Sequence, residues 1–275
     1  MGVVPKVTGE CEAVLQELVA QEPRQAGHPF SSWTCTDLVR ELAKKGFETV
    51  SRETIRVHLH ALGYRVLRPV LSVASPDPDY HRKVKRLEKY KKQAKNGEIL
   101  LYFQDEIDLN LLPGILRCWT QRGSQRKVMT PGLNQKRYGF GAVNYVSGQT
   151  LHRIEEHKDS AGFCAFAEQF MQTVTQSPDY HGQTIILVVD NFRIHTSKKT
   201  LDFLKKYANQ LVLFALPTYS PWLNLIERLW KQLRRKVTHN HLFQTISQLV
   251  NAVCSFLETL NQTPNLTLSI IGSTE

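Results

Sequence analysis

The chain has 275 residues, of which 41% are hydrophobic and 22% charged, and a formal net charge of +10 at pH 7. This length suits one large domain, or a small domain joined to a medium one. No apolar run approaches the roughly 18 residues that a membrane helix needs, and the start lacks the apolar core of a signal peptide. We therefore expect a cytoplasmic protein with no membrane partner. Its five scattered cysteines favour reduced thiols over a zinc site or disulfides.

Most of the excess positive charge lies in one short region. Residues 51–97 contain twelve Lys and Arg against four Asp and Glu, a net charge of +8. Clustered positive charge is the electrostatic footprint of a surface that binds nucleic acid. A solvated helix face gives the same pattern, and for residues 81–95 alone both interpretations stay open.

Residues 34–75 are predicted to form a winged helix-turn-helix domain, preceded by an N-terminal segment or linker over 1–33. Apolar residues at helical spacing predict a first helix that stops at Gly46 and a second that begins at the N-cap Ser51. Residues 64–69 are expected to form one strand of the wing. A plain helical hairpin would give the same signal. If the domain binds DNA through its second helix and wing, the candidate contacts are Arg52, Arg56, His60, Arg65 and Arg68.

The next segment is predicted to be a basic connector over residues 76–97. Pro76 and Pro78 break the chain before a helix expected over about 79–96. The candidate DNA contacts on this helix are its cationic side chains, Arg82, Lys83, Lys85, Arg86, Lys91 and Lys92.

From residue 98 to 275 the pattern becomes that of an α/β domain, with a mixed sheet flanked by helices. Apolar and β-branched runs predict strands over 98–106, 117–128, 137–154, 184–190 and 211–217. Amphipathic runs predict helices over 160–176, 198–209 and 220–237. The last helix has an apolar stripe at Trp222, Ile226, Leu229 and Leu233.

Three carboxylates stand out in this domain. Asp105 and Asp190 end two predicted strands, and Glu227 lies about 140° from the apolar stripe of the last helix. Each has an ordinary explanation, since Asp often begins a turn and Glu227 with Lys231 forms an i, i+4 pair. Together they would repel unless a cation joined them. Two Mg²⁺ ions about 3.5–4 Å apart would make them ligands for an attack on phosphate.

Four sequence blocks resemble the mariner-related bacterial insertion-sequence transposases. They are "QDE" at 104–106, "CWTQRG" at 118–123, "DNFRIH" at 190–195 and "LPTYSPWLNLIERLW" at 216–230. The resemblance covers about residues 34–240. It implies a ribonuclease-H-like domain with a DDE triad of Asp105, Asp190 and Glu227. It also implies cut-and-paste transposition with two Mg²⁺ or Mn²⁺ ions per site and insertion at TA.

The resemblance implies partners and neighbouring residues as well. We expect the chain to bind double-stranded DNA, both transposon ends and target, as a homodimer associated with the bacterial nucleoid. Asn191, His195 and Asn224 are assigned to support the triad, and Arg122 to contact DNA. Trp222 and Leu225 stand where the family often has a polar residue and proline. The family also carries two helix-turn-helix units, and this sequence has room for one, so we expect the first to be missing.

Two other functions remain open at this point. The chain is an inactive transposase remnant or regulator that only binds DNA, or it is another two-metal nuclease on the same fold. Metal-dependent nicking separates the transposase from the first alternative. Joining of a 3′ end to a second DNA separates it from the other.

Overall fold

A computed structural model describes residues 7–67, 75–130 and 132–273. The chain divides into two compact units, residues 1–72 and residues 73–275. Across the described ranges, no helix combines the length and apolar character that a membrane span requires.

The first unit contains three helices: α1 (Gly9–Ala20), α2 (Cys35–Lys44) and α3 (Arg52–Ala61). A reciprocal capping box between Thr34 and Asp37 begins α2. The N-terminus of α3 is fixed by the Ser51 hydroxyl, which accepts the Thr54 N–H at 3.0 Å. Such caps satisfy backbone donors that have no partner within the helix. The helices pack around one apolar cluster, which includes Cys11, Leu15, Leu18, Leu38, Leu42 and Ile55.

Helix α1 lies within residues 1–33, the range predicted to be an N-terminal segment or linker, and packs as part of the first unit. Cys11, Leu15 and Leu18 recur at helical spacing and are buried against the other two helices. Glu12 Oε1 lies 2.7 Å from His58 Nδ1, which also ties α1 to α3. The predicted wing strand is not found over residues 64–67. Its remaining residues, together with the candidate contact Arg68, lie outside the described part of the chain.

The second unit is built on a five-stranded sheet in the order β3-β2-β1-β4-β5. Its strands are β1 (Ile99–Asn110), β2 (Lys136–Asn144), β3 (Thr150–Glu155), β4 (Thr184–Val189) and β5 (Leu211–Ala215). The central strand β1 runs antiparallel to β2 and parallel to β4. The mixed sheet predicted from the sequence is therefore confirmed.

Helices cover both faces of this sheet. One apolar cluster joins it to α4 (Tyr80–Lys95), α8 (Ile226–Leu233), α9 (Ile246–Gln262) and α10 (Pro264–Ile271). A second cluster joins the opposite face to α5 (Ser160–Thr175), α6 (Arg193–Thr196) and α7 (Lys198–Leu204). Side chains alternate along a strand, so Leu101 and Phe103 of β1 belong to the first cluster and Leu100 and Tyr102 to the second.

The strand predicted over residues 117–128 is not formed, and these described residues have no regular secondary structure. Its aromatic residue Trp119 is fully exposed, so this stretch buries no face that a strand would need. The chain is instead held at Leu116, the residue just before this stretch. The Asn240 side chain accepts the Leu116 N–H at 2.9 Å and donates to the Leu116 carbonyl at 2.8 Å.

The helix predicted over 220–237 divides into three parts. A 3₁₀ turn at Pro221–Leu223 comes first, α8 begins only at Ile226, and a π-helical turn at Arg234–Thr238 ends the run. Asn224 has an extended backbone with ψ of 101°, which interrupts the helical phase. Trp222 is therefore 45% exposed, and its predicted place in the buried stripe was wrong. The other three stripe residues, all in α8, are buried as predicted.

Gly141 of β2 allows α8 to lie close against the sheet, and we expect its replacement to destabilise the second unit. A Cβ added there would lie 2.5 Å from the ring of Trp230, so Gly141→Ala should lower the free energy of unfolding by about 1–3 kcal/mol. Chemical denaturation measures this loss. The control is Gly132→Ala, whose added Cβ meets no atom within 4 Å. Similar losses in both variants would contradict the prediction.

Candidate active site

Asp105 is placed on the central strand where its parallel pairing ends. The predicted strand stopped at this residue, but β1 continues to Asn110 along β2. The parallel partner β4 pairs only as far as Phe103. Asp105 therefore lies just beyond the carboxyl end of the parallel ladder, the region where open α/β sheets bind their ligands. Its side chain shares the sheet face of Phe103 and Ile107 by strand alternation, and α8 packs on that face.

Asp190 is the first residue after β4. Its carboxylate accepts the Phe192 N–H at 2.9 Å, an Asx turn that fixes the side chain beside its own backbone. His195 Nε2 lies 3.2 Å from the same oxygen, Oδ1. That contact is close enough for electrostatic attraction, but its angle does not give a well-aligned hydrogen bond.

Glu227 lies in the first turn of α8, and two contacts hold that helix against the sheet, one on β1 and one on β2. The buried Asn224 side chain donates to the Gln104 carbonyl at 2.8 Å, immediately before Asp105 in sequence. Trp230 lies against Gly141, the β2 residue that pairs with Asp105. One turn of α8 separates Trp230 from Glu227, so packing of the ring sets the position of the carboxylate.

The three predicted carboxylates line one cavity of about 390 Å³. They come from three separate elements: the central strand, the end of its parallel neighbour, and the start of α8. Beside them the cavity is lined by the loop before α8 and the two residues after Asp190: Leu216, Pro217, Thr218, Tyr219, Ser220, Pro221, Asn224, Asn191 and Phe192. The structure thus brings Asp105, Asp190, Glu227, Asn191 and Asn224 together at one site.

The electrostatics of the two aspartates differ. Burial raises the pKa of Asp105 to about 8, with further contributions from the charges of Glu227, Glu106 and Asp190. Burial also raises the pKa of Asp190, but the adjacent His195 and the Phe192 N–H outweigh it and the net shift is downward. At neutral pH the cavity therefore combines a protonated Asp105 with an ionised Asp190. Burial of Asp105 and the hydrogen-bonding surroundings of Asp190 produce this separation.

A second layer of residues supports Asp190 from behind. The Asn191 side chain donates to the Leu216 carbonyl at 2.6 Å, which joins the loop after β4 to the segment after β5. His195 is buried, with its ring edge-on to Phe163 at 4.6 Å. Its Nε2 also lies 3.7 Å from Glu106 Oε1.

Glu106 and Lys158 lie near the site but are not among the predicted site residues. Glu106 is buried on the opposite face of β1 from Asp105, where it accepts the Gln104 side-chain N–H at 2.8 Å. Burial raises the pKa of this carboxyl despite the nearby His195. Lys158 Nζ lies 4.0 Å from Glu106 and 3.6 Å from the exposed Asp108. The alternation of side chains along the strand was the available signal, because it places the side chains of residues 105 and 106 on opposite faces of the sheet.

The candidate DNA contacts of the first unit have different surroundings. Arg56 forms an ion pair with Glu53, its Nε lying 2.9 Å from Oε2. Arg65 donates to the backbone carbonyls of His60 and Tyr64, both at 2.8 Å. Arg52 is exposed and makes no ion pair among the described residues. Two of the cations therefore have intramolecular partners.

The cations of α4 are also largely paired. Arg82 lies 2.8 Å from Asp79, Lys83 2.7 Å from Asp77, and Lys91 2.8 Å from Glu88. Arg86 donates to the Tyr90 hydroxyl at 2.9 Å. The other two candidates in this helix, Lys85 and Lys92, form no ion pair within the described ranges. Outside α4, the predicted contact Arg122 is exposed in the irregular segment after β1.

Comparison with known proteins identifies the family. The sequence pattern of the family described as DDE superfamily endonuclease matches residues 100–250, the region that contains all three carboxylates. The chain belongs to the DDE superfamily endonucleases. It is also 32% identical over 253 residues to an uncharacterized 39 kDa protein of insertion element IS630 from Shigella sonnei. That alignment covers 91% of this chain and 71% of the relative. The protein is thus a transposase of this superfamily, related to a bacterial insertion element.

Solved structures agree on the fold. The Mos1 mariner paired-end complex with Mn matches with a TM-score of 0.71 and 15% identity, covering 99% of this chain and 77% of the solved chain. The Mos1 strand transfer complex matches with a TM-score of 0.64 and 14% identity, covering 99% and 76%. These likenesses support the mixed sheet with flanking helices of a ribonuclease-H-like catalytic domain.

Because of its raised pKa, Asp105 should destabilise the metal-free protein at alkaline pH. The folded state keeps this proton up to about pH 8, whereas an unfolded Asp loses it near about pH 3.9. The free energy of unfolding therefore falls as pH rises through this window, by at most about 1.4 kcal/mol per pH unit. Asp105→Asn removes the titration, so in EDTA the variant should be more stable than wild type at pH 8.

Thermal unfolding between pH 4 and pH 8 measures this difference, which should shrink towards pH 4. The matched control is Asp108→Asn on the same strand, where the carboxylate is exposed. A variant Asp105→Asn that is no more stable than wild type at pH 8 would show that the carboxyl ionises normally.

Proposed function

We propose that this protein cleaves DNA strands at the ends of its element and joins the freed 3′-hydroxyl to target DNA. Asp105, Asp190 and Glu227 are the proposed catalytic triad. The observation that carries the proposal is their placement: three carboxylates from three elements line one cavity at the carboxyl edge of the parallel strands. The family supports a DNA-cleaving reaction, and the shared cavity supports the choice of these three residues.

The donor set fits hard divalent cations, two Mg²⁺ or Mn²⁺ ions per site. Carboxylate oxygens are the ligands that Mg²⁺ prefers. Burial and neighbouring acids raise the pKa of Asp105, and a bound cation would favour its ionised form. Among the described residues, no three His, Cys, Asp or Glu side chains are close enough to hold a metal as they stand. When bound, such ions would activate the attacking oxygen and stabilise the leaving oxygen of an in-line displacement.

The chain itself orients the three ligands. The Phe192 N–H and the His195 ring fix Asp190 and favour its ionised form. Asn224 and Trp230 hold the first turn of α8 next to β1. Asp105 must lose its proton before it can bind a cation, so metal binding at neutral pH should release a proton.

Two segments of the second unit carry unpaired cations that suit the DNA backbone. Residues 111–135 contain four Lys and Arg and no acid, and residues 228–257 contain five and no acid. The Gly114–His239 bridge and the Asn240–Leu116 hydrogen bonds join the two segments. None of these nine cations forms an ion pair within the described residues. By contrast, the α4 cations that form ion pairs would have to break those pairs before they could bind DNA.

The other properties implied by the resemblance remain predictions. The matched Mos1 structures are a paired-end complex and a strand transfer complex, and we propose by analogy that this chain acts as a homodimer on two DNA ends. Insertion at TA and binding of the first unit as a helix-turn-helix belong to the same proposal. The alternative is a catalytically inactive DNA-binding remnant.

We predict that Asp105→Asn, Asp190→Asn and Glu227→Gln each lower strand cleavage by at least about a hundredfold, since removing one key catalytic group costs at least this much elsewhere. The substrate is a plasmid carrying the DNA that flanks this gene on both sides, with Mg²⁺ or Mn²⁺. Asp108→Asn is the control and should keep substantial activity. Metal-independent or absent cleavage by the wild type would favour the remnant, and full cleavage by one variant would remove that residue from the triad.

The unpaired cations should dominate the salt dependence of DNA binding. Replacing both Arg235 and Lys236 by Ala should make the slope of log K against log[salt] less steep by about 2, since each lost phosphate contact changes it by about 0.9. The control pair is Lys205→Ala with Lys206→Ala, which removes the same charge from residues paired with Asp202 and Glu168. Equal changes in the two double variants would show that position and pairing are irrelevant.

A further inference from the structure

The exposed aromatic side chains are concentrated at the carboxylate cavity. Of all Phe, Tyr and Trp residues in the described chain, only four are exposed: Trp119, Phe192, Tyr219 and Trp222. Phe192 and Tyr219 line the cavity together with the three carboxylates. Trp222 directly follows Pro221, which lines it too. Large apolar side chains left in water around a cavity that holds three carboxylates mark a binding surface rather than packing.

Tyr219 has the most unusual position of the three. Its backbone φ is +54°, in the left-handed region that residues with a bulky side chain rarely adopt. Its ring is 70% exposed. Strained residues persist where the surrounding structure fixes them, and they cluster at functional sites.

The neighbouring residue supplies the contacts that fix this conformation. Thr218 donates its N–H to Asp77 at 3.2 Å, and its carbonyl accepts the Ser75 hydroxyl at 2.6 Å. Asp77 is in turn paired with Lys83 at 2.7 Å. The segment before α4 therefore anchors the loop, while the Tyr219 ring extends into solvent at the cavity.

The ring surfaces of Tyr219 and Phe192 are not equivalent. Lys158 Nζ lies 5.2 Å from the centre of the Phe192 ring, a cation–π contact that occupies one face. Tyr219 makes no ring-stacking or cation–π contact within the described part of the chain. A largely exposed aromatic ring with no aromatic or cationic partner among the described residues, beside a site for phosphate chemistry, suits a planar aromatic ligand.

We propose that Tyr219 is a stacking platform for one unpaired nucleobase next to the phosphate that the carboxylates act on. This inference rests on the proposed function and identifies how the substrate is held. The cavity, about 390 Å³, suits a ligand of nucleotide size and cannot enclose a duplex, whose major groove alone is about 12 Å wide. A base displaced from the duplex next to the reacting phosphate would fit this space, and stacking on the Tyr219 ring would compensate for the lost stacking in the duplex.

The test is a coupling cycle between the ring and single bases of the DNA. Duplexes that carry the end sequence flanking this gene are made with one abasic position at a time, on each side of the cut. Cleavage and binding are measured for wild type and Tyr219→Ala. With intact DNA, Tyr219→Ala should weaken binding or cleavage by about 5- to 150-fold, the range that corresponds to about 1–3 kcal/mol per stacked base. At one abasic position the same substitution should have no further effect.

Three further variants separate the ring from other causes. Tyr219→Phe keeps the ring and should behave as wild type, whereas loss of activity would assign the role to the hydroxyl. Tyr219→Gly relieves the left-handed backbone and should be as defective as Tyr219→Ala, whereas recovery would show that the ring is not needed. Trp119→Ala is the control for an exposed aromatic away from the cavity, and its effect should not depend on which base is missing.

The outcomes distinguish this inference from the proposed function. If wild type cuts the DNA and Tyr219→Ala lowers cleavage and binding by the same factor on intact DNA and on every abasic duplex, the stacking role is wrong. The transposase activity would still stand. If wild type cuts none of these duplexes with Mg²⁺ or Mn²⁺, the proposed function fails. A fluorescent 2-aminopurine at the coupled position provides an independent readout, since stacking on Tyr219 should change its emission in wild type and Tyr219→Phe only.

Discussion

The second unit depends on one constraint: it gathers three acidic side chains around one cavity, where Asp105 is held in its protonated form. Burial, with a further contribution from neighbouring acids, raises the pKa of Asp105 to about 8. The scaffold must therefore hold in place side chains that tend to separate. Parallel pairing of β1 with β4 fixes two of them at one edge, and the seat of α8 fixes Glu227. Such sites reduce stability in exchange for a prepared arrangement of ligands.

The apolar packing of α8 is large enough to oppose this repulsion. Ile226, Leu229 and Leu233 are each at most 1% exposed, and burying such a side chain contributes about 1.5–3 kcal/mol. Two unit charges 4 Å apart near a protein surface repel by about 4 kcal/mol, and less at the larger separations of an open cavity. Three buried side chains on the helix that carries Glu227 therefore outweigh one such repulsion. The cavity stays assembled because the helix that carries Glu227 is anchored in the apolar core.

The sequence allowed the elements around the site to be predicted because each has a strong local signal. Asp105 and Asp190 end apolar runs of strand length, and Glu227 lies on the polar side of an amphipathic helix. What failed depends on non-local contacts. The start of α8 follows from the Asn224–Gln104 hydrogen bond across 120 residues, which no helical periodicity contains. The irregular segment before β2 had strand-like composition but no neighbouring strand, and α1 acquires its role only by packing on α2 and α3.

Charge is the property for which sequence and structure differ most. Counting residues places the excess in 51–97, at net +8, and predicts DNA contacts on both α3 and α4. The structure pairs Arg82, Lys83 and Lys91 with nearby acids, and surface pairs of this kind are worth only about 0–1 kcal/mol each. Phosphates can therefore displace some of these acids, but Lys83 also anchors the loop that carries Tyr219, through Asp77 and Thr218. DNA that drew Lys83 away would release the platform beside the carboxylates. The acid-free segments, residues 111–135 and 228–257, are therefore better suited to bind the DNA backbone, because they leave that anchor intact.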